Sequence, residues 1–195
     1  PLRNEVIFIA ADVPDIDDLV QGLPQGLEVI LLDGEHNGID QIADVLSERS
    51  DISAIHLISH GRQGALTFGD VELNAETMAQ TYSSQLAVIG QSLTVNGDLL
   101  IYGCAVAGGE VGREAVTELS RLTGADVTAS DDTTGHSSEG GDWELEVQSG
   151  EIEADVFNAE AFWFGSLAPE ILEQHEVPFA DFDHDEKVSS TRNIG

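Results

Sequence analysis

Residues 52–61 read Ile-Ser-Ala-Ile-His-Leu-Ile-Ser-His-Gly, and residues 99–104 read Leu-Leu-Ile-Tyr-Gly-Cys. Both are short, mostly apolar runs bounded by small or polar residues, the pattern of strands buried on both faces of a parallel sheet. Each ends on a side chain that can carry chemistry. His60 is followed by Gly61, and Cys104 by Ala105, Val106, Ala107, Gly108 and Gly109. In open parallel sheets ligands bind beyond the carboxyl ends of the strands. Two strand ends presenting an imidazole and a thiol therefore predict an active site at that edge.

Working outward, Val6–Ala10 reads as a first buried strand, and Asp12-Val13-Pro14-Asp15 opens a short helix through Ile16, Leu19 and Val20. Leu27–Leu32 is a second strand. Ile39, Ile42, Val45 and Leu46 place a helix at about residues 38–48. After His60, residues 65–68 and 71–73 read as a hairpin turning at Gly69-Asp70. Asn74 caps a longer helix carrying Met78, Tyr82, Leu86 and Ile89 on one face. Asn96-Gly97 is a turn before the strand that ends at Cys104. Glu110–Thr123 is an amphipathic helix with Val111, Ala115, Leu119 and Leu122 inward, closed by Gly124. Residues 126–129 form a fifth strand, and the alternation of Trp143, Leu145 and Val147 with Glu144 and Glu146 predicts a further strand with one wet face. Strands alternating with helices define an α/β fold, a mainly parallel sheet flanked by helices. The pattern stops near Ser166, so residues 1–165 are expected to form one domain and 166–195 an acidic linker or tail toward a following domain.

Seven Lys and Arg against 37 Asp and Glu give a formal net charge of −30, with 41% of residues hydrophobic. That apolar fraction supports a proper core, while the charge disfavours nucleic acid, anionic membranes and phosphate-rich ligands. It suits a medium rich in salt or divalent cations, where self-repulsion is screened. The lone cysteine excludes an internal disulfide. No run of apolar residues is long enough to span a membrane, and Pro1-Leu2-Arg3-Asn4 lacks the features of a signal peptide, as expected for a piece of something longer. Gly103-x-x-x-x-Gly108-Gly109 lacks the lysine of a phosphate loop, and one cysteine with scattered histidines offers no zinc spacing.

Residues 55–61 and 99–104 resemble the two catalytic blocks of caspase-like (clan CD) cysteine peptidases. His60 precedes Cys104 by 44 positions, near the roughly 50 seen in caspases. More narrowly, the chain resembles the DUF4347 family, a caspase-like module found near the N-terminus of very large secreted bacterial adhesins and RTX-type proteins. Residues 6–9, 26–29, 38–42, 123–127 and 140–147 carry that likeness, which runs from about Asn4 to about Gly165. The resemblance implies a three-layer caspase/gingipain-like sandwich and an extracellular or cell-surface location within a larger secreted protein.

A thiol attacks a carbonyl as the thiolate, and a neighbouring imidazole takes its proton and later protonates the leaving amine. Cys104 and His60 suit those roles. The Gly61 N–H, unobstructed by a side chain, is expected to form an oxyanion hole with the Cys104 N–H. The plainer roles are a buried apolar thiol and a histidine capping a strand end. His56 is expected to be a core histidine bonded to a neighbouring strand, the alternative being a supporting bond within the site. Arg62 is a candidate for an acidic substrate residue, or else a solvated arginine paired with a carboxylate. Asp131 and Asp132, in an oxygen-rich loop with Thr133, Thr134, Ser138, Glu139 and Asp142, are candidates for a groove wall. That loop and the Asp181–Glu186 cluster are also where Ca²⁺ would bind, as a structural or activating ion. The chemistry itself needs no cofactor. Two functions are expected to compete: a cysteine endopeptidase acting on a peptide segment of its own parent chain or another protein, and an inactive module serving as an anchor, cap or adhesion domain. The enzyme reading expects thiol and imidazole to meet across neighbouring sheet edges, open to water.

Overall fold

A computed structural model of the 195-residue chain describes residues 4–169. Its centre is a sheet of strands β1 (Glu5–Ile9), β2 (Glu28–Leu31), β3 (Ile52–Ile58), β7 (Leu93–Tyr102), β8 (Asp126–Ala129) and β9 (Val147–Ser149), in the order β2-β1-β3-β7-β8-β9. All neighbours pair parallel except β8 with β9. One register row runs Ile30, Phe8, Leu57, Ile101, Ala129, Val147. Strand β1 is buried throughout, β3 at every position but Ser53 and β7 from Gly97 onward, which is why they read as apolar runs rather than alternating ones.

Helices α1 (Ile16–Gly22), α2 (Gly38–Leu46), α3 (Ala75–Gln80), α4 (Ser83–Ser92) and α5 (Gly109–Thr123) make the connections. Helix α4 packs against both α2 and α5, and α3 against α5, forming one layer. The chain moves one way across the sheet from β1 to β2 and the other way from β2 to β3. Right-handed crossovers therefore place α1 on the face opposite α2. There α1 is joined by the segment after β9, since a methyl on Gly22 would lie 2.9 Å from the Ala159 Cβ.

That segment, residues 151–167, has no regular structure yet is pinned along its length. The N–H groups of Glu153 and Ala154 donate to the Asp98 carboxylate at 2.9 and 2.8 Å, and that of Phe157 to the Tyr102 hydroxyl at 2.9 Å. Phe157 stacks on His56 with centroids 4.0 Å apart, and Trp163 Nε1–H donates to the Pro14 carbonyl at 2.9 Å. The chain thus climbs the sheet from Asp98 in β7 to the carboxyl edge.

A small antiparallel sheet of β4 (Gly61–Arg62), β5 (Ala65–Phe68) and β6 (Val71–Asn74) stands at that edge, containing the expected hairpin. Four details depart from expectation. The helix capped by Asn74 is two helices, broken at Thr81-Tyr82, with the capping box on α3 intact. Asn96-Gly97 lies inside β7, in an excursion where Ile52 pairs with Leu93 but Ala54 with Asp98. The ladder of the last strand begins only at Val147: Trp143 and Leu145 are buried as the alternation implied, but they lie outside the strand. In α5, Val111 is exposed, and Gly112, Ala115, Val116 and Leu119 face inward.

The folded body also passes the expected boundary at 165. Leu167 is fully buried, so the tail does not begin at Ser166. The Asp181–Glu186 cluster falls outside the described residues. Among the described residues no helix is long and apolar enough to cross a membrane.

Candidate active site

Ile58 of β3 pairs with Tyr102 of β7, and His60 and Cys104 each lie two residues beyond that pair. Parallel neighbours about 4.8 Å apart therefore deliver the two side chains at the same level. The turns that carry them touch. A methyl on Gly61 would lie 2.8 Å from the Gly103 carbonyl carbon, 2.9 Å from the Cys104 oxygen and 2.5 Å from Val106 Cγ2. Only glycine permits this approach.

His60 is buried, and its Nε2 lies 3.0 Å from the carbonyl of Asp12, three residues beyond β1. A carbonyl only accepts, so Nε2 carries the proton and Nδ1 the lone pair. That Nδ1 is buried and has no hydrogen-bond partner. It is not bonded to the Cys104 sulfur. In the sequence Asp12 reads only as part of a helix start and not as a site residue, though it follows the first strand, where the order of the parallel strands reverses.

Cys104 is 5% exposed rather than open to water. Its Sγ–H donates to the Thr134 carbonyl at 3.5 Å, and the sulfur lies 3.8 Å from the Ser166 hydroxyl. Burial pushes its pKa up against the opposing hydrogen bonds from Ser166 and the backbone, so the resting group is the thiol. Ala105 follows with φ +56°, a left-handed conformation unusual for a residue with a side chain. It turns the chain sharply, as its N–H bonds the Asp132 carbonyl.

What covers the sulfur is the chain itself. Leu167 N–H donates to the Thr134 carbonyl at 3.0 Å, His136 N–H to the Gly165 carbonyl at 2.9 Å, and Gly61 N–H to the Leu167 carbonyl at 3.2 Å. Gly135 and Ser166 form an antiparallel bridge. A methyl on Gly135, at φ +151°, would lie 2.6 Å from the Gly165 oxygen and 2.8 Å from Ser166 Cα, so the wall is shaped to this segment. The Gly61 N–H thus holds a peptide carbonyl, as an oxyanion donor does. The Cys104 N–H, expected to be the second donor, makes no hydrogen bond to that oxygen among those of the described residues.

The other sequence candidates have partners of their own. Arg62 is paired with Glu72 of β6 at 2.6 Å, a half-exposed ion pair that holds Glu72 below its usual range. Asp131 N–H bonds the Glu146 carboxylate at 2.9 Å, and Asp132 accepts from Ala105 N–H through its carbonyl while its negative charge helps to raise the Cys104 pKa. Within this loop the covering segment is touched by Thr134, Gly135 and His136, a few positions on. His56 lies in the core, with Nε2 3.3 Å from Glu5 of β1 and Nδ1 3.4 Å from the Tyr102 hydroxyl. Desolvation lowers its pKa, and it takes no part in the site.

Among the described residues two groups of carboxylates could hold a metal ion: Asp98, Asp126 and Glu153, and Asp131, Asp132 and Glu146, each with ligand oxygens within 4.8 Å of one another. Burial, then neighbouring negative charge, raises the pKa of Asp132. Burial likewise raises Asp98, opposed by the Ala154 and Glu153 N–H groups.

The chain is thus an α/β protein with a mainly parallel sheet that carries a thiol and an imidazole just beyond the carboxyl ends of adjacent strands. The family described as "Domain of unknown function (DUF4347)" matches residues 6–163, and the chain belongs to that family. Among curated proteins none matches.

Proposed function

We propose that this chain is a caspase-like cysteine endopeptidase domain that acts through Cys104 and His60 on its own parent chain. The observation that carries this reading is the His60 ring. Its Nε2–H is committed to Asp12, and its Nδ1 is left buried and unbonded just beyond β3, the strand next to the one delivering Cys104. An unsatisfied buried acceptor costs about 1–3 kcal/mol, and a catalytic role, here receiving a proton, is one physical reason to keep it. Because the sulfur rests as a thiol, His60 takes its proton as attack occurs, rather than in a standing ion pair. Gly61 N–H supplies the oxyanion donor. In this reading the sheet with its two covering layers is a sandwich of the caspase/gingipain kind. The acidic surface suits a place outside the cell, within a larger secreted bacterial protein. The reaction needs no cofactor, and a divalent cation at either carboxylate group would serve as a structural or activating ion.

One observation favours the non-enzymatic reading, an anchor, cap or adhesion module: the sulfur is sealed and already donates to Thr134. Labelling separates the two. A peptide acyloxymethyl ketone should modify Cys104 in the wild type and fail with Cys104→Ala. With His60→Ala it should react about 10²–10⁴-fold more slowly. Equal reaction of wild type and His60→Ala, or none in either, with or without Ca²⁺, overturns the enzyme.

A further inference from the structure

We propose that Gly165-Ser166-Leu167-Ala168 is the site's own substrate, cut in cis between Leu167 and Ala168. The inference rests on the peptidase reading above and names its substrate.

The segment lies in the groove as an added strand. Its N–H and C=O groups pair with Thr134–His136, the manner in which extended peptides are recognised at a sheet edge, with main-chain bonds for affinity and side-chain pockets for choice. Two contacts pick out one bond. The Leu167 carbonyl is the one held by Gly61 N–H, and the sulfur lies 3.8 Å from the Ser166 hydroxyl and shares the Thr134 carbonyl with Leu167 N–H. The side chains agree. Leu167 is fully buried, whereas Ala168 is exposed, so the chain fills a pocket with the residue before the bond and leaves for solvent with the residue after it. The Ala168 N–H, on the leaving nitrogen, donates to the Ser166 hydroxyl at 3.1 Å, the same hydroxyl that lies 3.8 Å from the sulfur. Ser166 is a positioning residue for the turn.

The step balances with water as the only co-reactant. The Cys104 sulfur bonds the Leu167 carbonyl carbon while its proton passes to His60 Nδ1. The oxyanion is held by Gly61 N–H. The carbon–nitrogen bond to Ala168 breaks, and His60 returns the proton to the amine. Water then hydrolyses the Leu167 thioester, giving a carboxylate and restoring the thiol. The pocket Leu167 occupies sets the preference, an aliphatic residue before the cleaved bond.

The test follows the purified 195-residue chain by intact mass and by sequencing of the new N-terminus, with and without Ca²⁺. A fragment beginning at Ala168 is expected, formed at a rate unchanged on hundredfold dilution and absent with Cys104→Ala. Ala168→Pro, at an exposed position, should block the cut, and so should Leu167→Lys. With Leu167→Lys, which empties the groove, labelling of Cys104 by a Gly-Ser-Leu acyloxymethyl ketone should rise. Labelling of Cys104 with the 167–168 bond intact, or with cleavage elsewhere, overturns this inference and leaves the peptidase standing. Neither labelling nor cleavage overturns both.

Discussion

The His60 ring hangs from the Asp12 carbonyl by a single 3.0 Å hydrogen bond across 48 residues of chain. That bond decides which nitrogen is free. His60→Gln can keep a donor at the Nε2 position while removing the base. It should melt close to the wild type yet lose about 10²–10⁴-fold in Cys104 labelling by the peptide warhead. A matched loss of melting temperature would show that the ring serves packing alone.

Gly61 is held between two turns with no room for a methyl. Gly61→Ala should destabilise the fold by about 1–3 kcal/mol through overpacking, read as a lower urea midpoint at unchanged slope. Val106→Ala, which removes the nearest atom, should restore part of that loss but not all, because the Gly103 and Cys104 backbone contacts remain. Full restoration would show that the backbone approach is not tight.

The raised pKa of Cys104 has a sign in stability. The folded chain holds the thiol proton more tightly than the unfolded chain. The stabilisation is therefore complete below the unfolded thiol value and fades as pH rises through the folded one. Melts taken from pH 8 to 11 should show a decline that Cys104→Ala shares less steeply. Iodoacetamide should modify Cys104 with a midpoint above that of a free thiol. A midpoint below that value would mean a preformed thiolate.

Asp98 is buried, with Oδ2 accepting two backbone N–H groups and Oδ1 unbonded, near Asp126 and Glu153. Its raised pKa means the unfolded chain releases the proton first as pH rises, so its contribution falls between the ordinary carboxylate value and the raised one. Asp98→Asn keeps an acceptor for both N–H groups and removes the charge. It should melt higher than the wild type at pH 7 and flatten the pH dependence between 4 and 7. A lower melting temperature at pH 7 would show that the charge itself is favourable there.

Much of the frame was legible in the sequence because buried parallel strands leave a strong local signal. The runs at residues 6–10, 52–59 and 99–103 became β1, β3 and β7, and Asn74 and Gly124 cap helices as their types predict. Errors fell where tertiary contact overrides local pattern. Trp143 and Leu145 are buried outside a strand, and the helix after Asn74 breaks at Tyr82, whose hydroxyl receives a hydrogen bond from Asn37. Of the site, His60, Gly61 and Cys104 were readable from strand ends, whereas Asp12 contributes only a carbonyl, which any residue type has.

By itself the sequence determined the α/β alternation and the delivery of an imidazole and a thiol to one sheet edge, because burial and strand termination are written in neighbouring residues. Only the tertiary structure decided which imidazole nitrogen is free, that the sulfur is covered, and that Leu167 lies against Gly61. Those relations run through backbone N–H and C=O groups that are alike in nearly every residue, so no side-chain pattern announces them. They exist only once distant segments have been packed together.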